Sequence, residues 1–220
     1  MTVLAVTGLK REAEIAGGDG VVAVAGGGDA PSLTEKLAAL HGDIKGVISI
    51  GLGGGLSPLL KVGEVVIGDR VIAGREEWAC DEHWRVSLAA RLSGAHQGPV
   101  AASEIILQDA NAKAALFAES GALVVDMESA AAARFAQTRG LPFAVLRVIS
   151  DDTRHVLPEA ALVAMRPDGG IAVGRVLGSL LRHPLQVPSL IRTARTSGRA
   201  FRELLRCRGL CGVGLARPDL

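Results

Sequence analysis

The sequence predicts an α/β layered domain built on a mostly parallel or mixed central β-sheet. Short apolar, β-branched runs recur along the 220 residues and alternate with helical patterns. Several of these runs are apolar at nearly every position, as strands covered on both faces are. Apolar residues make up 49% and charged residues 21%, which supplies a full core and leaves no compositional case for disorder.

The expected strands are Val3–Thr7, Val21–Ala25, Val47–Ile50, Glu64–Ile67, Val71–Ile72, Val100–Ala101, Leu123–Val125 and Phe143–Ile149. The expected helices are Pro31–Leu40, Asn111–Ser120 and Met127–Arg139, the last closed by Gly140-Leu141-Pro142. Trp78 to Trp84 reads either as a local surface helix with its tryptophans turned inward or as part of a binding region. From Ala161 onward the pattern is helical, with breaks at Pro167–Gly170, Pro184 and Pro188. The expected division is a catalytic domain over 1–180 and a basic helical tail over 181–220, packed on the body or appended to it.

Charge is unevenly spread. From Arg175 on, nine Arg, no Lys and two acids give +7, so the first 174 residues carry −6 against a total of +1. In the tail, Arg192, Arg195, Arg199, Arg202 and Arg206 share one helical face, beside an apolar face of Ile191, Ala194, Phe201, Leu204 and Leu205. Such a helix can pack on the body or lie on an anionic membrane.

Composition excludes several classes. With no Tyr and 3% aromatics, the chain is no nucleic-acid reader built on stacking. Three Cys make no closed disulfide framework, and no basic segment precedes the first apolar run, so a cytoplasmic location is expected. The uncharged stretch between Lys45 and Lys61 is short and rich in Gly, unlike a membrane span. The five His are scattered, and no metal site is expected. Gly51–Leu56 has Leu where the dinucleotide fingerprint needs its third Gly, and neither a P-loop nor G-x-S-x-G occurs.

What remains is carboxylates and glycines. Val124-Val125-Asp126-Met127-Glu128-Ser129 runs from an apolar strand into a helix, and Leu146-Arg147-Val148-Ile149-Ser150-Asp151-Asp152 ends another strand in acids. Ligands of open α/β sheets collect at the carboxyl ends of strands. The same residues also suit helix capping, so the local chemistry leaves both readings open. Gly26–Gly28 and Gly51–Gly55 are either tight turns or backbone nests for an anion.

Asp126-Met127-Glu128-Ser129-Ala130-Ala131, with Val-Leu-Arg-Val-Ile-Ser-Asp at 145–151, resembles the paired signature of the nucleoside phosphorylase and nucleosidase family. Gly51–Leu56 followed by Lys61–Ile67 resembles that family's glycine turn and next strand. Gly8-Leu9-Lys10-Arg11-Glu12 resembles the opening of its methylthioadenosine/adenosylhomocysteine nucleosidase branch. Leu157–Met165, Pro167-Asp168-Gly169, Leu180–Pro184 and Pro188–Arg192 are similar to the hopanoid-associated phosphorylases. The resemblance implies a three-layer αβα phosphorylase/hydrolase-like fold with a central mixed sheet and a C-terminal helical appendage.

It also implies an activity. An adenine nucleoside carrying a 5′ substituent, adenosylhopane in the subgroup, would be cleaved by inorganic phosphate to adenine and a ribosyl-1-phosphate lipid. No cofactor would be needed. The alternatives are hydrolysis of a small 5′-substituted adenosine, or nucleoside binding without catalysis. Asp151 would protonate the purine N7, oriented by Ser150, and Glu12 would activate water in a hydrolytic enzyme. Glu128 would accept from the ribose hydroxyls, with Met127 against the sugar. Ile106 stands near where nucleosidases offer a Phe to the base, and Ser49 where some phosphorylases have Arg. Gly26, Gly27, Gly53 and Arg147 are the candidates for phosphate. The family further implies a homo-oligomer. A lipid-linked substrate would bring the arginine-rich tail to the membrane surface.

Overall fold

The computed structural model describes residues 2–107, 109–153, 169, 170, 172 and 183–218. Expectations for 154–168 and 173–182 lie outside the described residues. Eight strands form one mixed sheet: β1 (Thr2–Thr7), β2 (Val21–Ala25), β3 (Ile44–Gly55), β4 (Val65–Ala73), β5 (Glu76–Ala79), β6 (His96–Ala102), β7 (Val124–Asp126) and β8 (Phe143–Asp151). Among the described residues six α-helices accompany them: α1 (Lys10–Ala16), α2 (Ala30–Ala38), α3 (Glu82–Arg91), α4 (Ala110–Ser120), α5 (Ser129–Thr138) and α6 (Val187–Cys211).

Alternation along β1 explains the layering. Val3 and Ala5 face one core, with Trp84 and Leu88 of α3, Ala16 of α1, and Ala200, Leu204, Cys207 and Cys211 of α6. Leu4 and Val6 face the opposite core, with Leu33 and Leu37 of α2 and the alanine face of α5. A third cluster joins Leu56, Ala101, Ala122 and Val125 to Leu116 and Phe117 of α4. This is the expected αβα sandwich around a mixed sheet.

Strands β2, β1, β3 and β8 run parallel, and β8 then pairs antiparallel with β4. Parallel pairings carry β4 to β6 and β6 to β7. Gly54 and Gly55 of β3 meet Val125 and Val124 of β7 in antiparallel register, which closes a ring of five strands. The closure brings the carboxyl ends of β1, β3, β7 and β8 together.

Four expectations are corrected. Gly51–Gly55 is no turn or nest but the second half of β3, in register with Arg147–Asp151 of β8. Glycine there permits close approach: a Cβ on Gly51 would lie 2.8 Å from the Glu12 carboxyl carbon. Glu64–Ile67 and Val71–Ile72 are one strand, β4. The Trp78–Trp84 segment splits into β5 and the start of α3, with both tryptophans buried and their indole N–H groups donating to Gln137 Oε1 (3.0 Å) and Leu215 O (2.9 Å). The tail helix buries Ala200, Phe201, Leu204, Cys207 and Cys211 and leaves Ile191, Ala194 and Leu205 exposed, so its apolar stripe is rotated from the expected one. Burial pushes the Cys207 and Cys211 thiols up to about 12 and about 11, as suits core residues.

Candidate active site

A cavity of about 230 Å³ opens where the carboxyl ends of β1, β3, β7 and β8 meet. Glu12, Asp126, Met127, Glu128, Ser150 and Asp151 all line it. The acids that follow two different strands therefore act on one space.

Glu12 projects from the first turn of α1 and is 3% exposed. Its Oε2 accepts from the backbone N–H of Gly8 and Leu9, both at 2.8 Å, and Oε1 accepts from Leu52 N–H at 2.8 Å. Burial pushes its pKa up, and the three backbone donors and Arg147 offset that only in part. Glu128 is pushed up to about 8, first by burial and then by the neighbouring charge of Asp126. The two glutamates flank Gly8, where a Cβ would lie 2.9 Å from Glu128 Oε1 and 3.3 Å from Glu12 Oε2. Only glycine leaves room for both carboxyls.

This crowding predicts an inverted pH dependence. A carboxyl raised from 4.5 to about 8 binds more protons folded than unfolded across that window. Stability therefore falls as pH rises through it. The thermal midpoint should drop between about pH 5 and pH 8, and Glu128→Gln should flatten the drop. A midpoint that rises over this range in the unaltered chain would contradict it.

Asp126 holds the junction between β7 and α5. Its Oδ1 accepts from Glu128 N–H (3.1 Å) and Ser129 N–H (2.9 Å), while Oδ2 accepts from Ser129 Oγ and from Arg147 Nε at 2.7 Å. Its capping role is thus combined with a buried ion pair.

The phosphate candidates fare unevenly. The Arg147 guanidinium is 1% exposed, donates to Asp126, Ser49, Ser129 and Leu146 O, and does not line the cavity. The N–H groups of Gly26 and Gly27 donate to Thr7 O and Gly8 O, each at 2.7 Å, and are committed to the backbone. Of the four, Gly53 lines the cavity. Ile106 does as well, between Ile105 and Leu107.

Asp151 closes β8 and is 7% exposed. Ser150 Oγ lies 2.6 Å from Asp151 Oδ1 and donates to it or to Gly53 O at 3.2 Å. The other carboxylate oxygen accepts from Lys113 Nζ, a partner absent from the sequence reading. Thr193 and Ser197 of α6 also line the cavity, so the tail helix helps to build the site.

The strand-end carboxylates, the glycine-lined β3 and the layered sheet together define an α/β protein with its cavity at the carboxyl ends of its strands. The phosphorylase superfamily model matches residues 7–182, and the chain belongs to that family. Over 61 residues it is 41% identical to the 5′-methylthioadenosine/S-adenosylhomocysteine nucleosidase of Treponema pallidum, a match spanning 28% of this chain and 23% of that protein. The fold is similar to that of the Streptococcus pneumoniae 5′-methylthioadenosine/S-adenosylhomocysteine nucleosidase with a transition-state inhibitor. There the TM-score is 0.63 at 18% identity, covering 94% of this chain and 99% of the other. The futalosine hydrolase of Helicobacter pylori is similar too, with TM-score 0.61, 17% identity, and 94% and 97% coverage.

Proposed function

We propose that the chain expels adenine from a 5′-substituted adenosine by breaking its N-glycosidic bond. The observation that carries this reading is the convergence of Asp151, Glu128 and Glu12 on one cavity. The base would lie against Ile105, Ile106 and Leu107, with Asp151 at N7 to neutralise the departing anion. Glu128 would hold the ribose hydroxyls by hydrogen bonds to its carboxyl group.

Water is the acceptor the geometry favours. Four carboxylates line the cavity, and Lys113, the basic side chain among its described lining residues, is paired with Asp151. A phosphate anion would meet no further cation among these described lining residues. Glu12, held by three N–H groups and with its pKa raised by burial, suits a base that takes a proton from water.

The second reading is phosphorolysis of a lipid-linked nucleoside such as adenosylhopane, in hopanoid biosynthesis. Its support is the resemblance at 157–169 and 180–192, together with an apolar edge to the cavity. Ile105 lines the cavity yet is 69% exposed, and Ile191, two residues before Thr193 on α6, is 47% exposed. Such an edge suits a large apolar 5′ group. The deciding experiment offers a 5′-alkylated adenosine with and without inorganic phosphate and identifies the sugar. Water as acceptor gives the free ribosyl product at equal rate in both. Release that requires phosphate and yields a sugar 1-phosphate overturns water and establishes the second reading.

In this proposal the protein works as a homo-oligomer and visits anionic membrane. No described helix is long and apolar enough to cross a membrane. Arg192, Arg195, Arg199, Arg202 and Arg206 are all exposed along α6, beside exposed Val187 and Ile191. Each Arg near an anionic leaflet contributes roughly 1 kcal/mol. Sedimentation with anionic vesicles at low salt, reversed at high salt, is expected; equal partition onto neutral vesicles would contradict it.

A further inference from the structure

Lys113 is 1% exposed, an unusual place for an ammonium. It sits in the first turn of α4, one helical turn after Asp109, whose carbonyl accepts from its N–H at 3.2 Å. Its Nζ donates to Asp151 Oδ2 and, at 2.9 Å, to Asp152 O. The loop leading into α4 carries Ile105, Ile106 and Leu107. One side chain thus ties the apolar wall of the cavity to the strand-end acid and brings a positive charge with it. A lysine kept only for packing would cost desolvation that a leucine or methionine would not.

We propose that the leaving-group acid works as the Lys113–Asp151 pair, with Lys113 as a positioning residue that anchors one Asp151 oxygen and stabilises the carboxylate left when the proton has gone. The inference rests on the glycosidase reading. As the C1′–N9 bond breaks, its electron pair passes to the base and N7 takes a proton from Asp151. Asp151 is left as a carboxylate held by the Lys113 ammonium, and it regains its proton from solvent after adenine leaves. The charged groups facing the pair are Glu12 on α1, Asp126 and Glu128 at the β7–α5 junction, and Asp152 beyond β8, with Arg147 behind Asp126; α6 contributes the uncharged Thr193 and Ser197. Against this acidic surround, Lys113 is the cation that offsets the charge left on Asp151.

The test is the pH profile of adenine release by the full chain, with 5′-methylthioadenosine as the probe. Lys113→Met should lower kcat by about 10- to 100-fold and change KM by less than about threefold. It should also move the basic limb of kcat to higher pH by about one unit or more, since the carboxylate form of Asp151 loses its neighbouring cation. Lys113→Arg, which keeps the charge, should restore the limb and part of the rate. Should Lys113→Met fail to fold, Lys113→Gln and Lys113→Arg carry the same comparison. In an Asp151→Asn background, Lys113→Arg or Lys113→Gln should cost nothing further. A basic limb unmoved in the charge-removing variants, with kcat intact, overturns the pair and leaves Asp151 as the acid. Absence of adenine release from the unaltered chain overturns both.

Discussion

Asp151→Asn is expected to cut turnover by at least about 10²-fold while nucleoside affinity stays within a few-fold. The amide keeps the size of the group and its contact with Ser150, but it has no proton to give to a departing purine. Glycosidic cleavage then has to expel the base as an anion. The replacement also removes the charge that pairs with Lys113, so some loss of stability should accompany the loss of rate. Single-turnover kinetics beside equilibrium binding would separate the two. Turnover near that of the unaltered chain would reduce the Ser150–Asp152 cluster to a strand cap.

Arg147→Met should be the most damaging change to folding. Arg147 and Asp126 form an ion pair with both side chains 1% exposed, and the Asp126 carboxylate also orders the backbone entering α5. Removing one partner from a buried pair costs about 3–5 kcal/mol, because the other charge is left uncompensated. In a domain of this size that lowers the thermal midpoint by on the order of 10 °C. The paired replacement Arg147→Met with Asp126→Asn should recover much of the loss. A single variant as stable as the unaltered chain would contradict the structural role, and would return Arg147 to the list of groups available to an anion.

Most strands and three of the helices were legible because their signals are local. The apolar runs of β1, β3, β7 and β8 are buried on both faces, and Gly140 with Pro142 marks the end of α5. The acids at the ends of β7 and β8 were legible for the same reason: strand ends in an α/β sheet converge. What the reading missed depended on distant partners. The glycines at 51–55 look like a turn until Glu12, some forty residues upstream, occupies the space a side chain would need. Lys113 stands among alanines in a helix and looks solvated; its partner lies 38 residues on, at the end of β8. Arg147 drew attention as a lone charge in an apolar strand, but nothing local pointed to Asp126 as its partner. In α6 the arginine face was correct. The buried stripe ran instead through Ala200, Leu204, Cys207 and Cys211, against α1, α3 and β8, which are far away in sequence.

The central claim is that the cavity at the carboxyl ends of β1, β3, β7 and β8 cleaves adenine from a nucleoside. Its most direct test is the time course of free adenine when the purified chain meets 5′-methylthioadenosine and a longer 5′-alkyl adenosine, with Asp151→Asn run alongside. The account predicts catalytic release of adenine by the unaltered chain and its near-abolition in Asp151→Asn. Binding of either nucleoside without release, or release that Asp151→Asn leaves intact, would contradict it.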